Sequence, residues 1–319
     1  MLTVLSTAAA PSTAQTPPEV LGAVPVGTSP VAVAINPATG RAFVVNKGSG
    51  DVAVLDLASR AVAGRYTLGG ILEGIAVNSR TNHVVVAGLD GVVTVIDQGL
   101  QEMVATIPAG KAPSRVAIDE ERNAALVTNF SGSNLAVIDL ATRRVVRTIA
   151  LKSGPLGVAV LGGKRRAVVA CQYDMELVGV DLEKGVMDRE LVLGRFLSEV
   201  AVNAGTGHVI VGNPSSNGIL TVYDPEANTV VSTLPVGAGP LSVAVWAKKN
   251  VALVSEYNGG TVTVVDLSLG LAVKSIPVGK GPMGIAVHPE SGIAVVVDKL
   301  GGNAVFLDID RALGARPLP

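Results

Sequence analysis

The stretch ALVTNFSGSNLAVIDLATRRVVRTI, residues 125 to 149, decides the fold. ALVT and LAVID are rich in aliphatic and β-branched residues, NFSGSN and DLATR form turns, and RRVVRTI mixes polar with apolar residues, so the stretch predicts three antiparallel strands. The middle strand ends in an aspartate, Asp139, and the same ending recurs along the chain. VLD closes at Asp56, VID at Asp97, VGVD at Asp181, VYD at Asp224, VVD at Asp266 and FLD at Asp308, giving spacings of 41, 42, 42, 43, 42 and 42 residues. The stretch is one of seven copies.

A fixed period in the low forties with four strands per copy predicts an all-β, seven-bladed β-propeller of four-stranded antiparallel blades, since each twisted sheet must be covered by its neighbours around a ring. Helical repeats of this length would show runs of ten or more residues with 3.6-residue periodicity, and none is present. Copy six reads GPLSVAV for the innermost strand, ALVSEY for the second, TVTVVD for the third and LAVKSIPVG for the outermost. NPATGR, NAGTGH and HPESG link first to second strands with the Gly, Pro and Asn that tight turns require.

The pattern of VG, a Pro a few residues on, VAV, a strand ending near TN, then VIDL and IPVG resembles the YVTN-type seven-bladed propeller repeat. VTN at 127 to 129 and FVVN at 43 to 46 match it most closely, and the resemblance covers about residues 19 to 319. It implies the architecture; members range from surface and periplasmic binding proteins to enzyme subunits, so it leaves the activity open. The GH and WD pairing of WD40 repeats is missing, and Trp246 is the sole tryptophan.

A chain of 319 residues would ordinarily suggest two domains, but a ring of repeats forms one continuous body. With 48% hydrophobic and only 3% aromatic residues, the blades must pack through Val, Ala, Leu and Ile. A net charge of -1 carries no footprint for nucleic acid, and GGKRRA at 162 to 167 is the one local basic candidate. Cys171 stands alone, so no intrachain disulfide and no CxxC site exists. Residues 1 to 18 join a short apolar run to small residues and a Pro-rich spacer, without a basic start, and read as a signal-peptide remnant or a leader. That reading predicts a periplasmic or secreted protein. No run of 18 apolar residues predicts a membrane-spanning helix, and a monomer is expected.

EVLGAVPVG at 19 to 27 has the pattern of an outermost strand, as in NTVVSTLPVG at 228 to 237, yet precedes the first full copy. It is expected to complete blade 7 and close the ring, with the C-terminal RALGARPLP competing for the place.

Function is sought where one blade departs from the others. Two residues past the proline position the copies carry Ala32, Gly74, Arg115, Gly157, Glu199, Ser242 and Gly284. Near the axis small residues are expected, and a buried guanidinium or carboxylate there must be paired with each other or with a ligand. Glu73, one position earlier in blade 2, is a third departure. The end of the second strand gives Asn46, Ala87, Asn129, Cys171, Gly212, Glu256 and Asp298, followed by Lys47, Gly88, Phe130, Gln172, Asn213, Tyr257 and Lys299, with Tyr173 close behind.

This mixture around one opening suits a small polar ligand, a peptide or a partner protein. The candidate ligand-binding set is therefore Lys47, Asn129, Phe130, Gln172, Tyr173, Asn213, Glu256, Tyr257, Asp298 and Lys299. The reading is a binding module that works through the channel mouth without cofactor or metal. The alternative is a metal-independent lyase, isomerase or lactone-type hydrolase with Glu199 or Glu73 as general base and Arg115 holding an anionic intermediate. His83, His208 and His288 all fall toward the opposite face, with no spacing of a zinc or haem ligand set. Thiolate chemistry at Cys171 would want a cationic neighbour and no histidine is at hand, so it reads as a small buried side chain.

Overall fold

In a computed structural model the chain is described from residue 16 to residue 314; the leader reading falls mostly, and the end of RALGARPLP wholly, outside those residues. Seven four-stranded antiparallel sheets follow one another along the chain. Blade 3 is representative, with strands Pro113–Asp119, Ala124–Asn129, Asn134–Asp139 and Arg144–Ala150 running from the axis outward.

The recurring aspartate has a turn-forming role. Asp139 Oδ1 accepts the Thr142 backbone N–H at 2.8 Å, and Asp97, Asp181, Asp224 and Asp266 each accept the backbone N–H groups two and three residues on. These Asx turns fix the corner between third and outer strands. At the last copy Asp308 caps the short helix Ile309–Leu313 instead.

Second and third strands are covered on both faces, which is why they read as unbroken apolar runs. Side chains alternate across a strand: Ala42 and Val44 join the core shared with blade 7, while Phe43 and Val45 join the core shared with blade 2. Seven such clusters occur, one per seam. Each fully buried Val or Leu contributes about 1.5–3 kcal/mol relative to an exposed one, so the ring is held by many small aliphatic contributions. Outer strands bury little except their penultimate residue, such as Ile107, Ile149, Leu234 and Ile276. Trp246 fills the seam of blades 6 and 7, its indole against Gly292 and its Nε1–H donating to Pro289 O at 2.7 Å.

The N-terminal strand Val20–Pro25 pairs with Asn303–Asp308 and completes blade 7. Val26 is fully buried in the blade 7 and blade 1 core, and Lys274 of blade 6 holds Glu19 at 2.9 Å. Arg311 of the C-terminal helix donates to Pro18 O, so the two ends are tied to each other while only the first supplies the strand.

GGKRRA does not form a basic patch. Lys164 pairs with Glu226 at 2.9 Å, Arg165 with Glu183 at 2.6 Å and Arg166 with Asp188 at 2.6 Å, so each cation is answered locally.

Candidate functional site

Six of the seven innermost strands carry a register irregularity just after their first residue, as between Pro113 and Arg115. Such bulges re-aim side chains, and here they stand beside the axis. In blade 5 the inner strand shortens to Val200–Val202, and Ser198 and Glu199 both bond the backbone of Gly212.

Crowding sets which residues the ring tolerates. A Cβ on Gly74 would lie 2.2 Å from Ser114 O, one on Gly157 would lie 2.6 Å from Ser198 O and 2.9 Å from Glu199 Cα, and one on Gly284 would lie 2.7 Å from Ala32 Cα. Each glycine is pressed on the next blade's backbone, and two of those neighbouring strands carry Arg115 and Glu199.

The three charges singled out in the sequence meet. Arg115 Nε donates to Glu199 Oε1 at 2.5 Å and its Nη1 to Glu73 Oε1 at 3.3 Å; Lys47 Nζ donates to Glu73 Oε2 at 2.5 Å, and the Ser242 hydroxyl to Glu199 Oε2. Arg115, Glu73 and Glu199 are 15%, 16% and 20% exposed. Burial alone would raise Glu73, but the charge of Arg115 and the bond from Lys47 hold its carboxyl below the usual range. The same carboxylates raise Arg115 against the opposing effect of burial. Every carboxylate oxygen has a donor, and Glu73 is a weakened proton acceptor. Arg115, Glu199 and Ser242, with Val116, Val158 and Val200, line a cavity of about 110 Å³.

The second column shifts in two blades. Pairing places Gly88 opposite Leu72, and Asn213 opposite Ile219, so Gly88 and Asn213 occupy the positions expected for Ala87 and Gly212. The turn after the second strand is one residue shorter in blade 2, between Gly88 and Val92, and one longer in blade 5, between Asn213 and Ile219, than the turn from Asn129 to Asn134.

Four members of the ligand-binding set are buried and bonded to the scaffold. Asn129 donates to Ala109 O and Asn134 Oδ1, Asn213 to Phe196 O, Glu256 accepts Gly237 N–H and the Thr261 hydroxyl, and Asp298 accepts the backbone of Lys280 and Gly281. They clasp the loop that leads into their own blade. The glycine just past the outer strand lies beneath the clasp: a Cβ on Gly110 would fall 2.3 Å from Asn129 Nδ2, and one on Gly279 2.2 Å from Asp298 Oδ2. Blade 4 has Lys152 where others have that glycine, and its clasp shrinks to Cys171.

The rest of the set reaches the rim. Phe130 and Tyr173 meet edge to face with centroids 5.2 Å apart, and Lys299 Nζ lies 5.9 Å from the Tyr257 ring centre. Gln172 is half-buried beside them, and Lys47 leans inward to Glu73. Ile71, Phe196 and Leu300, which the column comparison passed over because they lie in loops, stand 51%, 51% and 60% exposed on this face, with Tyr173 at 60%. His83, His208 and His288 lie at the far ends of the inner and second strands, on the opposite face. Among the described residues no group of three or more His, Cys, Asp or Glu is placed to hold a metal ion, and no helix is long and apolar enough to cross a membrane.

A family model described as the cytochrome D1 heme domain matches residues 41–178, less than half the chain. Among solved structures, hydrazine synthase of Kuenenia stuttgartiensis superposes with a TM-score of 0.82 at 16% identity, covering 94% of this chain and 99% of that chain, which shows a shared propeller fold. No curated protein matches. A haem does not fit at this axis. The cavity of about 110 Å³ is far below the ~300–1,000 Å³ of cofactor pockets, the Arg115 guanidinium and Glu199 carboxylate line it, and no histidine stands on the mouth face.

Proposed function

We propose that the chain is an exported propeller of YVTN-type repeats that works as a binding module, receiving a peptide or partner protein on its mouth face. The observation that carries this is the rim: four large apolar or aromatic side chains, Ile71, Tyr173, Phe196 and Leu300, are more than half exposed around an axis whose charges are satisfied among themselves. Exposed apolar groups gathered on one face are the usual anchors of association. The small cavity and the occupied carboxylates favour this over catalysis at the axis. Export rests on the composition of residues 1 to 18, and mass spectrometry of the native N-terminus tests it: a start near Thr16 or Pro17 agrees, and an intact leader contradicts it.

A photo-cross-linker at position 300 tests the binding face, with position 269 on the opposite face as control. The reading expects a reproducible adduct from the first site, competed by unlabelled protein. Adducts only from position 269, or from neither, refute it.

A further inference from the structure

The rim carries a charge bias that the whole chain lacks. Although the net charge is -1, the loops of the mouth face hold Lys47, Lys111, Lys152, Arg195, Lys280 and Lys299 against Asp90, Asp174 and Glu199. Lys47 is taken by Glu73, and Lys152 by Glu176 and Glu190. Lys111, Arg195 and Lys280 are exposed and have no ion-pair partner among the described residues, and Lys299 rests on Tyr257. These cations alternate around the ring with the exposed apolar groups, from Ile71 and Lys111 through Tyr173, Arg195 and Phe196 to Lys280 and Leu300.

The two tyrosines of the rim are each packed against the scaffold on one side. Tyr173 lies over Gly154, where a Cβ would come within 2.8 Å of its Cδ2, and it also takes the edge contact with Phe130. Tyr257 is flanked by Gly281 and by Lys299. Bases of single-stranded nucleic acid stack on free aromatic faces, and with one side of each tyrosine taken by the scaffold the rim offers few of them. Aliphatic side chains need only the exposed edges and the Ile71 and Leu300 tips.

We propose, resting on the mouth as the binding face, that its occupant is an acidic protein segment with interspersed apolar residues, its carboxylates meeting Lys111, Arg195, Lys280 and Lys299 and its apolar side chains meeting Ile71, Tyr173, Phe196 and Leu300. Rim charges of this kind act mainly on encounter and on partner choice, and they weaken with salt.

The test uses the full chain and a fluorescent peptide of about twelve residues alternating Glu with Leu. A Lys–Leu peptide, an oligo-dT strand and vesicles containing phosphatidylserine serve as competitors for the assignment. Binding of the Glu–Leu peptide is expected, weakened about tenfold or more by the combined Lys111→Glu, Arg195→Glu and Lys280→Glu variant and by high salt. Phe196→Ser with Leu300→Ser should weaken it several-fold with the melting temperature kept, since these side chains are exposed. No binding of that peptide, equal binding by the charge-reversed variant, or tighter binding of any of the other three probes overturns the proposal. A basic partner captured from position 300 would also overturn it while leaving the mouth-face reading intact.

Discussion

Arg115 and Glu199 stand 84 residues apart in the chain and meet at 2.5 Å beside the propeller axis, with the blade that carries Gly157 between them. The glycine makes the approach possible, because its Cα is pressed on the strand that bears Glu199. Gly157→Ala should therefore destabilise the fold by about 1–3 kcal/mol through overpacking against backbone. Urea denaturation of the variant checks this, and an unchanged midpoint would show that the blades can part at no cost.

The closing strand gives a second expectation. Removing residues 1 to 26 takes away Val20–Pro25, the Glu19 pair to Lys274 and the buried Val26, and leaves the Asn303–Asp308 edge open. Such a protein should melt far lower or aggregate, whereas removing residues 1 to 15 should leave the melting temperature unchanged. Thermal scans of the two truncations, compared with the full chain, decide it.

Cys171 should be inert in the folded protein. Its side chain is fully buried, and burial together with the nearby Asp174 charge pushes the thiol up to about 12, so little reactive thiolate exists at neutral pH. Reaction with a thiol reagent should follow the rate or population of global unfolding as denaturant is added. Fast labelling without denaturant would mean that blade 4 opens locally.

Acid should weaken the axis. Burial works against Glu73, but Arg115 and Lys47 bring its folded-state pKa below the ordinary 4.5; Glu19 is likewise lowered, first by its bond from Lys274. A carboxyl lowered on folding binds fewer protons in the native state, so its stabilisation is complete above 4.5 and is lost as pH falls below that value through the folded pKa. Stability measured between about pH 6 and pH 3 should decline for the native chain. The decline should be shallower in Glu73→Gln, and an identical slope in that variant would remove Glu73 from the account.

The ring was legible in the sequence because each repeat ends its third strand with an aspartate that turns the chain or, at the last copy, caps a helix, and because buried strands must be apolar along their length. The departures at Arg115, Glu199 and Glu73 were legible for a steric reason: only small residues otherwise fit that column. The neighbouring column slipped by one in blades 2 and 5, since a turn can lose or gain a residue without altering the strands on either side. The clasp role of Asn129, Glu256 and Asp298 was hidden, as it depends on a glycine some twenty residues earlier, such as Gly110 for Asn129. Phe196 and Leu300 were missed because a loop side chain has no periodicity to mark it as exposed.

The claim that the axial charges hold one another, leaving binding to the rim, is tested most directly by a double-mutant cycle on Arg115→Ala and Glu199→Ser. Removing one partner of a largely buried pair strands the other's charge, and about 3 kcal/mol is expected for each single change. The double change keeps the balance of charge and leaves Lys47 on Glu73, so denaturation should show it losing no more than either single, which is a coupling of about 3 kcal/mol. Singles that are near neutral, or a double whose loss is the sum of the two, would contradict the account and return Arg115 and Glu199 to service as a ligand site.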